Sequence, residues 1–418
     1  MSSDGEGLDL PALRGVATAD VFKAGRLAAE LRRDPDGVEF RYRPAWIAAG
    51  EPAIATTLAV TDVPVRRPGG ALPAYFAGLL PEGRRLGALR RAVKTSADDE
   101  LSLLLAVGED TIGDVQIVPA GAVPGELPAH VRLEDLGRTR FADLLAELGI
   151  TAQRIGLPGV QDKTSAAMIN LPVARAGERH ILKLNAAEFP HLVENEAFFL
   201  DVARDSGLTV PHFEVVRDAD GALGLLVRRF DRVTRDGAMA ARAVEDGCQV
   251  CRRPPADKYL LDTSEVFAAL AAPCDARPLA GRELIRQLAF AYLIGNGDAH
   301  AKNFSIAAEP DGEWRVSPLY DTPSSHPYGD TTMALPVAGR RDPDLGAADF
   351  VGLGNGLGVP ERAVRRVLQD LADRVDLWHP RLPSLPFAKA KTAKLARVVQ
   401  YRRTRLAPPA PTSGRSRR

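Results

Sequence analysis

Between Leu293 and Ile306 the chain reads LIGNGDAHAKNFSI. An apolar run breaks at Gly295 and Gly297, and Asp298, His300, Lys302 and Asn303 follow before the strand-like FSI. A carboxylate placed beside an amide suits a definite chemistry. The carboxylate accepts the proton of an attacking hydroxyl, and the amide oxygen holds Mg²⁺ against phosphates. The plain alternative is a polar turn rich in Asx residues. Four polar groups crowded between apolar segments argue against it.

Asp298 and Asn303 stand five residues apart, the spacing that separates base and metal ligand in the protein-kinase catalytic loop. SPLYDT (317–322) follows a short strand-like WRV (314–316) and places Tyr320 and Asp321 downstream, with Asp321 23 residues after Asp298. A carboxylate in that order is where a kinase holds its main Mg²⁺ ligand, although no Phe-Gly follows this one. Lys183 in HILKLN sits within an apolar strand pattern, where an unpaired ammonium is costly. Its expected partners are a nucleotide phosphate and a helix carboxylate, Glu194 or Glu196; the alternative is the solvated face of an edge strand. GLPGVQDKT (156–164) has two glycines three apart that let backbone N–H groups approach a ligand, with Lys163 as a point charge. It lacks the spacing of a Walker A loop, and an ordinary glycine turn is the competing reading.

Other signals are weaker. Cys248 and Cys251 form CQVC, and with Cys274 as the third cysteine they read as free thiols, not a closed zinc site. His326 and His379 have no partner spacing. Glu245-Asp246 reads as a solvated face.

Composition limits the classes of function. Lys+Arg and Asp+Glu both number 54 in 418 residues, so bulk charge draws the chain toward neither nucleic acid nor membrane. No apolar run reaches membrane-spanning length and the acidic start is unlike a secretion signal. Three cysteines fit a reducing compartment, so the expectation is a cytoplasmic protein. Only nine of the 54 basic residues are lysine. Arginine is the default cation here, which makes Lys163, Lys183 and Lys302 informative.

The elements that must position these residues are legible in outline. The expected fold class is α+β: an N-terminal mixed α/β subdomain over 1–120, a linker over 121–130, then a two-lobed kinase-like core. The core divides into a sheet-rich nucleotide-binding lobe over 131–245 and a helical catalytic lobe over 246–404, before a disordered tail over 405–418. In the first part, VEFRY (38–42) and AIATTLAV (53–60) read as strands, PVRRPGGALP (64–73) as a loop, and LSLLLAV (101–107) as a buried helix end. AAMINL (166–171), HILKL (180–184), FEVV (213–216) and LGLLVRRF (223–230) read as strands around one helix at 194–202. Helices are expected at 263–270, 283–293, 361–371 and 387–401.

Taken together, GLPGVQDKT, HILKLN, HLVENEAFFLDVARDSGLTVP, VRRFDR, EDGCQVC, GNGDAHAKNFS and SPLYDT, in this order, resemble the HipA family of serine/threonine-protein kinases, the toxin halves of bacterial toxin–antitoxin pairs. The likeness covers about 150 to 400, and YFAGLLPEG (75–83) and GEDTIGDVQIV (108–118) resemble the family's N-terminal subdomain. The resemblance implies ATP and Mg²⁺ as cofactors. It implies Asp298 as proton acceptor, Asn303 and Asp321 as Mg²⁺ ligands, and Lys183 on the ATP phosphates. It further implies a loop of Pro158, Gly159, Val160, Gln161, Asp162 and Lys163 covering the phosphates. Arg228, Arg229 and Phe230 would lie at the hinge beside the adenine, Tyr320 near the nucleotide, and His300 and Lys302 flanking the γ-phosphate. The implied partners are a protein substrate, typically an aminoacyl-tRNA synthetase, and a small helix-turn-helix antitoxin through which DNA is met indirectly, with no membrane involved. Two departures stand out. Family members often carry a phosphorylatable Ser where this chain has Gly156, so that switch is absent or moved to Thr164 or Ser165. A hinge position that often holds Glu is Arg228. Two rival readings remain at this stage: an antitoxin-binding co-repressor module with little kinase activity, and a small-molecule kinase of similar shape.

Overall fold

The computed structural model describes residues 9–125, 136–147, 168–175, 178–186, 188–235, 238–341 and 344–407. The glycine loop with Gly156, Pro158 to Lys163, Thr164 and Ser165 lies outside them, as do residues 126–130 of the expected linker and 408–418 of the expected tail.

The first sheet comprises β1 (Thr18–Lys23), β2 (Arg26–Asp34), β3 (Gly37–Tyr42), β4 (Val65–Pro68) and β5 (Val115–Pro119), all antiparallel in the order β4-β3-β2-β1-β5. Ala24 and Gly25, both with positive φ, make the two-residue β1–β2 turn, the backbone that matches the twist of paired strands. One face of the sheet buries Ala19, Val21, Leu31 and Phe40 against Tyr75 and Phe76. These aromatics belong to a short helix, α2 (Ala74–Gly78), which follows α1 (Pro44–Ala48) and leads into α3 (Gly83–Val93) and α4 (Glu100–Leu105).

Two local expectations fail here. Residues 53–60 form turns instead of a strand, because Tyr42 bridges them: its hydroxyl accepts from Ile54 N–H at 2.8 Å and donates to the Leu58 carbonyl at 2.7 Å. The expected loop 64–73 contains β4, an edge strand whose exposed arginines and terminal proline keep it from pairing further.

The second sheet is four-stranded and antiparallel: β6 (Ile169–Arg175), β7 (Glu178–Leu184), β8 (Phe213–Arg217) and β9 (Leu223–Arg228), in the order β6-β7-β9-β8. One face packs on α5 (Phe141–Glu147) through Phe141, Leu144 and Leu145. The other packs on α6 (Leu192–Asp205) through Val193, Ala197 and Leu200. The apolar positions recur at helical spacing, which is why this segment coils with that stripe inward. A small hairpin, β10 (Arg232–Arg235) with β11 (Ala238–Ala241), leads out of this sheet.

The last part is mainly helical. α7 (Gly247–Val250) and α8 (Thr263–Ala271) precede α9 (Arg277–Ile294), whose Leu284, Leu288, Phe290, Tyr292 and Ile294 are all buried. Around it pack α10 (Ala347–Gly356), α11 (Glu361–Trp378) and α12 (Lys389–Leu406). A three-stranded antiparallel sheet, β12 (Val244–Asp246), β13 (Ser305–Ala308) and β14 (Trp314–Val316), lies beside them. β12 had no sequence signal beyond three residues, and it overturns the reading of Glu245-Asp246 as a solvated face: Glu245 is 1% exposed and Asp246 9%. The architecture is α+β, as the sequence leads one to expect.

Candidate active site

α9 ends where Gly295 takes the left-handed conformation at φ 73°, which glycine adopts without the Cβ penalty. The buried guanidinium of Arg402 donates to the Tyr292 carbonyl, placing a cation at the negative end of the helix. Gly297 has no room for a side chain, since a Cβ there would lie 2.6 Å from the Thr332 carbonyl oxygen. Asn296 then joins two segments: its Oδ1 accepts from Asp298 N–H at 3.0 Å and its Nδ2 donates to the Asp321 carbonyl at 3.2 Å. Asn296 was not singled out in the sequence, although its place between the two glycines was the signal.

Asp321 has φ 52°, a costly conformation for a non-glycine residue. Its carboxylate bonds to Lys183 on one oxygen and accepts from Asn303 Nδ2 on the other at 3.1 Å. Asn303 Oδ1 in turn accepts from His300 N–H at 3.0 Å. Lys183 also donates to Glu196 at 2.6 Å, so the structure chooses Glu196 over Glu194 as the helix partner. Residues 183, 196, 303 and 321, remote in the chain, thus form one continuous string of polar contacts. Lys183 is buried. Desolvation disfavours its ammonium, but the Asp321 and Glu196 carboxylates outweigh that and raise its pKa above the ordinary lysine value.

This string lines a cavity of about 360 Å³, within the roughly 300–1,000 Å³ usual for ligand pockets. His300, Lys302, Arg228, Arg229, Phe230 and Tyr320 line it too. Asp298 does not. It is 2% exposed and sits next to the cavity, with Tyr259 donating to its Oδ1 at 2.7 Å and the Tyr259 ring packed edge-on against His300.

Several side chains are more committed than the sequence suggests. Lys302 donates to Asp246 Oδ2 at 2.8 Å and to the Gly78 carbonyl at 3.1 Å. Desolvation lowers its pKa, but Asp246 and Glu82 raise it further, so the ammonium is fixed in place. Asp246 also caps α7: its Oδ1 accepts from Gln249 N–H at 2.9 Å while Gln249 Oε1 accepts from Asp246 N–H at 2.8 Å. The D-x-x-Q pattern that runs into CQVC is the sequence signal of this capping box, and the sequence reading did not use it. Arg229, on the cavity wall, is committed to partners of its own. It grips Asp231 through two bonds and reaches Asp110 at 2.8 Å and the Thr111 carbonyl at 2.7 Å. Arg228 pairs with Glu178 at 3.0 Å. Phe230 and Tyr320 do stack, with centroids 5.7 Å apart, and give the cavity an aromatic wall. The three cysteines are free thiols; burial pushes the Cys251 thiol up to about 12.

Another surprise is how much the first sheet's region contributes. Gly78, Glu82, Arg84, Arg85 and Asp110 to Ile112 all line the cavity, where the sequence offered no catalytic cluster.

The donor set fits Mg²⁺ carried with a nucleotide. Asp321 and Asn303 are hydrogen-bonded neighbours on the cavity wall that each carry a hard oxygen; Asn303 turns its Nδ2 to Asp321, and its Oδ1 keeps a second lone pair beyond the one His300 N–H uses. Among the described residues no cluster of three or more His, Cys, Asp or Glu is arranged to hold a metal alone. Mg²⁺ needs none when phosphates and water complete its shell.

Residues 155–378 match the HipA-like C-terminal domain and residues 19–118 the HipA N-terminal domain. The protein Y4mE of Sinorhizobium fredii is 30% identical, over 92% of this chain and 99% of its own length. The serine/threonine-protein kinase toxin HipA of Shewanella oneidensis is 27% identical, over 90% of this chain and 93% of its own. Among solved structures, the complex of Shewanella oneidensis HipA with HipB and operator DNA superposes with a TM-score of 0.74 at 22% identity, covering 93% of this chain and 97% of that one. Among the described residues no helix is long and apolar enough to cross a membrane.

Proposed function

The chain belongs to the HipA family, and from that premise we propose that it is an ATP- and Mg²⁺-dependent protein serine/threonine kinase. The observation that carries the reading is the Glu196–Lys183–Asp321–Asn303 string along the wall of one cavity. Buried charges are expensive unless paired, and here the pairing leaves the Asp321 and Asn303 oxygens beside open space. Lys183, locked as a cation by Glu196, holds the nucleotide phosphates. Asp321 and Asn303 hold the Mg²⁺. The ion, when bound, screens phosphate charge and orients the γ-phosphate for in-line attack. Phe230 and Tyr320 give the base an apolar surface. Asp298 accepts the proton of the incoming hydroxyl, and Tyr259, bonded to it, holds the carboxylate and gives way as the substrate enters. Catalysis of this kind rests on positioning and charge stabilisation.

Incubation of bacterial lysate with γ-labelled ATP tests this. The wild-type chain should label a discrete protein band, whereas Asp298→Asn, with unchanged circular dichroism, should label none. Equal labelling by the variant contradicts the role of Asp298. Label confined to a metabolite contradicts a protein substrate. A translation factor such as an aminoacyl-tRNA synthetase is the substrate class we expect in the labelled band.

A second reading is favoured by the assembly of the Shewanella oneidensis neighbour with HipB and operator DNA. It gives this chain a small helix-turn-helix antitoxin as partner, with DNA met through that partner. Co-purification with the product of an adjacent reading frame, and an operator shift that needs both proteins, would support it.

A further inference from the structure

The cations lining the cleft are matched to carboxylates with one exception. Lys183 is met by Glu196 and Asp321, Lys302 by Asp246, and Arg229 by Asp231. Arg84, Arg228 and Lys258 are met by Glu188, Glu178 and Glu82. Arg85 lines the same cleft and makes no hydrogen bond or ion pair with any described residue. Its surface is only partly exposed. Desolvation lowers its pKa from the ordinary arginine value, and the attraction of Asp110 is set against the repulsion of Arg229. The Arg85 nitrogens are not sealed from solvent, so the guanidinium is accessible to an anion that enters the cleft.

Arg85 stands in the first turn of α3, which has no acidic residue, and the N-cap Glu82 makes no side-chain bond to the helix start. Glu82 instead sends its carboxylate to Lys258 and toward Lys302, at 3.6 Å. The first N–H groups of a helix lack intrahelical partners and carry the positive end of its dipole. An eleven-residue helix thus brings this end and an unmatched guanidinium to one place in the cleft wall. A planar, five-donor fork beside a helix N-terminus suits a phosphoryl group better than a carboxylate.

We infer that Arg85 and the first turn of α3 form a phosphoryl-anion subsite that the N-terminal domain contributes to the cleft. For the terminal phosphate of a nucleotide as its occupant, the inference rests on the kinase reading above. A phosphorylated serine or threonine side chain offers the same chemistry.

Calorimetric titration of the full chain with ATP, ADP, adenosine, inorganic phosphate and O-phosphoserine, each with Mg²⁺, separates the sources. Arg85→Ala should weaken at least one phosphoryl ligand tenfold or more while leaving adenosine unaffected, and Arg85→Lys should restore part of the loss. A loss on ATP that spares phosphoserine identifies the nucleotide, and the reverse identifies a phosphorylated side chain. A wild-type chain that binds phosphoserine through Arg85 but no nucleotide keeps the subsite and sinks the kinase reading. The ligand-free melting temperature of Arg85→Ala should equal or exceed wild type. Unchanged affinity for every phosphoryl ligand, or a lowered melting temperature without any loss of anion binding, overturns the inference.

Discussion

Two buried polar networks in this molecule are built from similar parts and end differently. At the junction between the N-terminal domain and the core, Arg229 spends its donors on Asp231, Asp110 and the Thr111 carbonyl, and Gly113 N–H adds a bond to Asp231 at 2.9 Å. Glu245 accepts from Thr56 N–H at 2.7 Å and Thr56 Oγ1 at 2.8 Å, and Gln249 donates to the Tyr75 carbonyl at 2.8 Å. That network satisfies itself and fixes how two parts of the chain meet. In the cleft, the Lys183 string is closed at Glu196 and open at Asp321, where the side chain stays 29% exposed to the cavity. On the proposed kinase reading, the difference separates a charge buried for register from a charge buried for chemistry: the first uses up its partners, and the second keeps oxygens for a ligand.

The sharpest way to break this comparison is to remove a group from each network. Asp321→Ala or Asn303→Ala should cut phosphoryl transfer by roughly a thousandfold or more, with circular dichroism and melting temperature little changed. Retained transfer in either variant would make the open network structural like the other. Arg229→Ala removes the two-bond partner of buried Asp231, leaves it Arg232 at 2.7 Å, and should cost about 1.5–3 kcal/mol in denaturant unfolding. A loss of activity there should track the loss of folded protein. Unimpaired stability would remove Arg229 from the junction.

A smaller effect sharpens the open network. Glu196→Gln leaves Lys183 paired only with Asp321 and should lower the rate roughly ten- to a hundredfold, while the KM for ATP and the melting temperature move little. A shift in stability alone, with the rate intact, would count against a role in orienting Lys183.

The closed network predicts a pH effect of definite sign. Burial pushes Glu245 up to about 7. A carboxyl group whose pKa is raised on folding binds its proton more tightly in the native state, so stability falls as pH rises through the window from the unfolded value near 4.5 to about 7. Glu245→Gln should flatten that dependence and stabilise the protein by about 1–3 kcal/mol above it. Parallel melting curves of both proteins from pH 5 to 8 would contradict the assignment.

What the sequence made legible follows the same division. Groups of the open network announce themselves because their types are out of place: a lysine within the apolar HILKL, and an Asn and an Asp that interrupt apolar runs. The helices and the four-stranded sheet are legible because apolar periodicity is local. The closed network was not. The contacts of Arg229 have no local signal because its partners Asp110 and Thr111 are remote in the chain. Asp246 looked solvated because its three-residue strand exists only through pairing with β13. AIATTLAV has strand composition and fails to form one because a tyrosine hydroxyl from β3 claims its backbone. Tyr259, which meets the 298–303 loop from outside it, has no sequence signature.

The central claim is that Asn303 and Asp321, braced by Lys183, hold one divalent ion only together with a nucleotide. Electron paramagnetic resonance of Mn²⁺, used as a stand-in for Mg²⁺, reads this directly. The account predicts that the wild-type chain binds one Mn²⁺ in the presence of ATP and far more weakly without it, and that Asn303→Ala and Asp321→Ala each lose the ATP-dependent ion while remaining folded. Undiminished ATP-dependent Mn²⁺ binding by both folded variants would contradict it.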